Sequence, residues 1–124
     1  MDTPLWILQI LLALAFVAAG VNHATQREKG SARSPWMLAV PKPLLTTIGI
    51  LEIAGGAGLV LPPLTGIALW VTPLAAALLA LLMVFAAGFH LRREGEGRNA
   101  VMNLVLAGLV AFVAYGRLVI APYV

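Results

Sequence analysis

Apolar residues fill the chain in four long stretches, and the charged residues gather almost entirely between them. The first stretch runs from Leu5 to about Val21 with Gln9 as its only strongly polar member, and Pro4 ahead of it suits a first helical turn. Gln26 to Lys42 forms a charged connector, in which Ser34-Pro35-Trp36 reads as the capped start of a short turn of helix, with Trp36 suited to the headgroup layer. The second stretch, Leu44 to Leu61, holds roughly 18 residues; at about 1.5 Å per residue it nears the roughly 30 Å of a bilayer's hydrocarbon core. Pro62-Pro63 predicts its end, because proline lacks the N–H that continues a helix. Pro73 stands either at the first position of a third helix or as a kink in a longer one starting near Thr65, and that helix reaches His90. After the glycine-broken connector Arg92 to Arg98, a fourth helix extends from about Asn99 to Val119, and Pro122 ends it. The predicted spans are about 5–24, 44–61, 66–90 and 99–119. Connectors this short make neighbouring helices antiparallel, so the expected fold is all-α: an integral membrane four-helix bundle, up-down-up-down.

Composition agrees with that pattern. Of 124 residues, 61% are hydrophobic and 10% charged, and the mean hydropathy of +0.98 lies outside the range of soluble domains. Almost nothing is left for an extramembrane domain. Ala18-Ala19-Gly20 raises a cleaved signal peptide as an alternative for the first stretch, but Asp2 stands where a basic n-region belongs, so a retained span is expected. The pI near 10.0 does not imply nucleic acid, because the basic residues form no patch. Arg27, Lys29, Arg33, Lys42, Arg92, Arg93 and Arg98 lie in the first and third connectors, and Arg117 alone lies on the other side. The positive-inside rule makes those connectors cytoplasmic and puts both termini outside, with Trp6, Trp70, Tyr115 and Tyr123 toward the outer interface. With no cysteine there is no disulfide, no CxxC and no thiolate metal site, so any thiol chemistry belongs to a partner.

One carboxylate interrupts the apolar stretches. Glu52 lies in the run Gly49 to Gly58, near the expected bilayer midplane, where a charge is expensive and by default functional. Gly49, Gly55 and Gly56 share its helical face and admit a close neighbour, so Glu52 is expected in a helix–helix interface. The other helices carry stripes of small and polar residues at helical spacing: Gln9, Ala13, Phe16, Gly20 and His23; Ala76, Ala80, Met83, Ala87 and His90; Asn103, Ala107, Val110, Ala114 and Arg117. Turned inward, they place Asn22, His23, His90 and Asn103 within one or two turns of the connector end, with Glu52 somewhat deeper. These are the candidate ligand-binding residues, around a half-buried polar cavity.

Each has a plainer reading. The histidines at span ends suit interfacial anchoring, Asn22 suits a cap, Asn103 suits interhelical hydrogen bonding, and Arg117 suits snorkelling outward, with an inward reach to a buried acid as its alternative. For Glu52 the plain reading is a protonated carboxyl hydrogen-bonded across helices. No tight ligand spacing supports a metal held by Glu52 and the histidines, or a haem held by His23 and His90.

Ala19-Gly20-Val21-Asn22-His23, Pro35-Trp36, Val40-Pro41, Gly49-Ile50-Leu51-Glu52 with Gly58-Leu59 and Pro62, Phe89-His90-Leu91-Arg92-Arg93 with Glu94, and Val113-Ala114-Tyr115-Gly116-Arg117 together resemble the DoxX-like family of small four-helix membrane proteins. The resemblance covers nearly the whole chain and implies a bundle in the bacterial inner membrane. The family name comes from a small subunit of a thiosulfate:quinone oxidoreductase; other relatives are described as parts of membrane-associated oxidoreductase complexes, and a distant animal branch assists receptor assembly. The function expected on this basis is that of a non-catalytic accessory or assembly subunit docked to a partner membrane protein or oxidoreductase subunit, since the chain has no redox motif, nucleotide loop or nucleophile triad. The alternatives are a quinone- or lipid-binding protein in which Glu52 and a histidine handle protons, and a proton-coupled exporter of a small solute, which needs a homodimer to build a pathway.

Overall fold

A backbone crossing hydrocarbon has to satisfy its own N–H and C=O groups, so each apolar stretch winds into a helix. The computed structural model describes residues 2–30 and 34–123; Arg33, one of the connector charges, lies outside the described residues. Four long helices result: α1 (Asp2–Thr25), α3 (Lys42–Thr65), α4 (Val71–Leu91) and α5 (Gly97–Tyr115), the last extended by a π-helical turn over Gly116–Ile120. A single turn, α2 (Arg27–Gly30), and a 3-10 turn (Pro35–Ala39) occupy the first connector. All four long helices are apolar and long enough to cross a membrane, and no strand occurs among the described residues. The chain is a multi-pass integral membrane protein with an all-α bundle fold. Its first and third connectors share one end of the bundle, where Trp36 meets Phe89 and His90.

In lipid, helices are held by close packing and not by exclusion of water. Glycine supplies that packing between α1 and α3. A Cβ on Gly20 would lie 2.5 Å from the carbonyl oxygen of Gly49, and one on Gly49 equally close to that of Gly20, so the two backbones touch. Gly56 extends the contact to Val17. Gly55 and Gly58 face the other way, against Leu79 and Ala75 of α4. The predicted stripes do point inward: Ala13, Phe16, Ala76, Met83, Ala87, Ala107, Val110 and Ala114 are buried, while Leu14, Leu61, Leu78 and Val105 face the lipid side.

The expectation that Pro62-Pro63 ends the second helix is overturned, because α3 runs through both to Thr65. Each proline does remove one helical N–H, which frees the carbonyls of Gly58 and Leu59 four residues earlier. Both carbonyls find donors on other helices: Thr72 Oγ1 reaches Gly58 O at 2.8 Å, and Gln9 Nε2 reaches Leu59 O at 2.7 Å. The helix therefore keeps its path without an unpaired buried group. It stops at Gly66, whose left-handed conformation (φ 73°) lets its N–H cap Pro62 O. Residues 66–70 are accordingly a turn, and the third span begins at Val71, not near residue 66. Pro73 sits in the first turn of α4, where its missing N–H costs nothing.

Candidate functional site

The backbone contact at Gly20 and Gly49 sets the register of α1 against α3, and one turn farther along each helix comes a polar side chain. Glu52 is 2% exposed, and its Oε1 lies 2.5 Å from His23 Nδ1. One proton must lie between two such acceptors, either on the imidazole facing a carboxylate or on the carboxyl facing a neutral ring. His23 is thus a cross-helix partner of the acid and not an interfacial anchor.

Trp36 closes the site from the connector. Its ring stands edge-on to His23 at 5.2 Å and to His90 at 5.0 Å, between the two imidazoles. The 3-10 turn is held there by Arg27, whose guanidinium donates to the carbonyls of Val40 and Leu38, and by Met37 packed with Val40 and Leu45. Ser34 precedes that turn as expected, but its hydroxyl makes no cap hydrogen bond, and Trp36 is turned into the protein instead of toward headgroups.

His90 is 4% exposed, which again replaces the interfacial reading. Its Nδ1 lies 2.7 Å from Glu96 Oε1, and Arg93 Nε donates to Glu96 Oε2 at 2.6 Å. Burial pushes the Glu96 carboxyl up, but the hydrogen bonds and charges of Arg93 and His90 outweigh it and hold the group below the usual 4.5. Each histidine therefore has its Nδ1 engaged by a carboxyl group.

Glu52, His23, Trp36 and His90 border a cavity of about 460 Å³ whose walls come from all four long helices, including Phe16, Met83 and Leu106. That size is within the range of small-molecule sites, and its lining is mostly apolar. Asn103 lines it too, and its Nδ2 is buried with no partner among the described residues. Leu44 and Phe85, at 52% and 67% exposure, border the same cavity on the lipid side between α3 and α4. Four of the five candidate residues, Glu52, His23, His90 and Asn103, are thus brought together. Asn22 is not: it is exposed, lies inside the last turns of α1 and does not border the cavity. Because α1 continues to Thr25, Asn22 is no cap either. Among the described residues no group of three metal-ligating side chains converges.

At the opposite end the inward stripes that begin at Gln9 and end at Arg117 meet in a second polar cluster, a pairing not foreseen from the sequence. Arg117 does not snorkel outward: it is 2% exposed and turns in across the bundle. Its Nε donates to Gln9 Oε1 at 2.7 Å, and its Nη1 donates to Asp2 Oδ1 and to the Ala121 carbonyl. Tyr123 stacks its ring 4.2 Å from the guanidinium and shares Gln9 through its hydroxyl. Gln9 is the only strongly polar residue of the first stretch, and Arg117 ends an inward stripe of the fourth helix on the same side; that is the signal in the sequence that could have found the pair.

Against known proteins, the model of the DoxX-like family matches residues 7–113. No curated protein and no solved structure matches the chain.

Proposed function

The chain belongs to the DoxX-like family, and on that footing we propose that this integral membrane protein binds an apolar molecule with a small, neutral, hydrogen-bonding head, a quinone or a lipid-like compound, in the cavity beside Glu52. The observation that carries the reading is the buried Nδ2 of Asn103, an unpartnered donor on a largely apolar cavity that also holds the His23–Glu52 pair. A carbonyl oxygen of the ligand would take the Asn103 donor, with the His23–Glu52 pair as the polar group beside it.

The same site suits the wider role of an accessory or assembly subunit that presents its ligand to a partner membrane oxidoreductase. Support for that role is family resemblance and the lack of a catalytic apparatus in the sequence. The packing beyond the cavity favours binding over export. Leu12, Leu59 and Val113 fill the bundle there, and the Gln9–Arg117 cluster occupies the far end. By loop charge, the connector end with the cavity faces the cytoplasm and both termini lie outside, in a bacterial inner membrane.

The deciding experiment is native mass spectrometry of the protein released gently from its own membrane, with Glu52→Gln and Asn103→Ala alongside. A quinone-sized or lipid-sized adduct on the wild type that both variants lose supports the ligand site. An adduct retained by both variants rejects it, and a second protein in the complex supports the accessory role.

A further inference from the structure

Two imidazoles border the cavity, and each has its Nδ1 against a carboxyl oxygen. At His23 the proton belongs to either partner. At His90 a third group decides its place. Arg93 Nε donates to Glu96 Oε2, and although burial raises the Glu96 pKa, the hydrogen bonds and charges of Arg93 and His90 bring it below the usual 4.5. Glu96 is therefore ionised at neutral pH, and both of its oxygens act only as acceptors. The contact of 2.7 Å between Glu96 Oε1 and His90 Nδ1 then requires the hydrogen on Nδ1.

The other ring nitrogen follows from that one. Arg93 already balances the Glu96 charge, so a second proton on the ring would put an uncompensated cation on a residue only 4% exposed. A neutral ring with its hydrogen on Nδ1 carries a lone pair on Nε2. Trp36 and Phe89 meet the ring edge-on, and no described residue hydrogen bonds to Nε2. The atom is not fully enclosed by protein, and the open space that His90 borders is the cavity. The cavity thus offers one acceptor, His90 Nε2, and one donor, Asn103 Nδ2.

We propose that the head of the cavity's ligand carries a free hydroxyl that donates to His90 Nε2 while an oxygen of the same head accepts from Asn103, so that a hydroquinone or another phenol fits better than an oxidised quinone, which has acceptors only. Glu96 is the positioning residue: it holds the hydrogen on Nδ1 and so keeps Nε2 an acceptor. The inference rests on the reading of the cavity as a head site.

The test uses the full chain in phosphatidylcholine nanodiscs with two probes, para-hydroxybenzophenone and para-methoxybenzophenone. They share a carbonyl and differ in the O–H, and each affinity is referred to that probe's partition into protein-free nanodiscs. Wild type should bind the phenol about tenfold more tightly, a difference of about 1.4 kcal/mol. Asn103→Ala should weaken both probes alike. In Glu96→Gln the amide oxygen stays with Arg93 and the amide NH2 meets Nδ1, which moves the ring hydrogen to Nε2. The preference for the phenol should then vanish, while the methoxy probe binds as it binds wild type. Nitrogen NMR of isotope-labelled His23 and His90 reads the same change, with the His90 hydrogen on Nδ1 in wild type and on Nε2 in the variant. Equal binding of both probes to wild type, still weakened by Asn103→Ala, overturns the hydroxyl and leaves the head site standing. Binding of both probes that neither Asn103→Ala nor Glu52→Gln alters overturns the head site itself. A wild-type His90 hydrogen on Nε2, or a phenol preference that Glu96→Gln leaves intact, overturns the proposal. If Glu96→Gln does not fold, the wild-type ring spectrum and the ratio of the two probes decide it.

Discussion

The side-chain amide of Gln9 donates to the carbonyl oxygen of Leu59, the one left without its helical partner by Pro63. A proline on one helix and a glutamine on another thus form a single structural unit, although fifty residues separate Gln9 from Leu59. Gln9→Leu removes the donor and also leaves the Arg117 Nε without an acceptor, so it should destabilise by about 1 to 3 kcal/mol. In a Pro63→Ala background the restored N–H satisfies Leu59 O, and the cost of Gln9→Leu should shrink. Equilibrium unfolding in mild detergent across the double-mutant cycle reads the difference; additive costs contradict the coupling.

Thr72 and Gly58 repeat the arrangement for Pro62. Thr72→Val keeps the shape and deletes the donor, with an expected cost of about 1 kcal/mol, the scale of interhelical hydrogen bonds in membranes. Thr72→Ser should retain most of the stability in the same assay. If valine and serine behave alike, the hydroxyl does not hold the proline turn.

Gly20 and Gly49 cannot take a side chain without moving backbone, since the added Cβ would stand 2.5 Å from a carbonyl oxygen. Alanine at either position should cost about 1 to 3 kcal/mol and pull His23 away from Glu52. Gly88 and Gly108 have open space at the same position, so alanine there should be neutral or stabilising by about 0.5 to 1 kcal/mol. Thermal unfolding of the four variants separates a packing seam from a general intolerance of alanine.

His23→Leu strands the buried Glu52 side chain, while Glu52→Gln keeps a hydrogen-bonding group of the same size facing the imidazole. The first should destabilise by about 1 to 3 kcal/mol and the second by less. A reversed order in chemical unfolding would mean that the histidine, not the acid, is the group that needs its partner.

Glu96 gives the connector end a pH dependence with a definite sign. Its folded-state pKa lies below the usual 4.5, so its contribution is complete above that value and fades as the pH falls through the lowered one. The groups facing it are Arg93 and His90. Thermal stability of the wild type should therefore drop on acidification below about pH 4.5, and Glu96→Gln should show a shallower drop. Parallel curves would place the acid sensitivity elsewhere.

The stripes of small residues are legible in the sequence because a helix in a bundle turns one face inward at a spacing of three and four. Phe16, Met83 and Val110 can be placed inside from that rule alone. Pro62 misleads because a local rule about missing N–H groups says nothing of donors that arrive from another helix. Trp36 misleads for a related reason: an aromatic residue in a charged connector looks interfacial until the connector folds back between His23 and His90. Arg117 looks like a surface residue because its acceptor, Gln9, lies 108 residues away.

By itself the sequence determined four membrane-crossing helices, their antiparallel order, the faces they bury and the presence of one acid among them. Hydrocarbon imposes those features on any chain of this pattern, since backbone groups must pair within the helix and polar side chains must leave the lipid. Which polar group meets which was decided only in three dimensions. The pairing of His23 with Glu52 depends on backbone contact at Gly20 and Gly49, and that of Arg117 with Gln9 depends on how the end of the fourth helix approaches α1. Such pairings depend on how rigid helices approach one another, a property of side-chain volume at the seams that no single stretch of the chain contains.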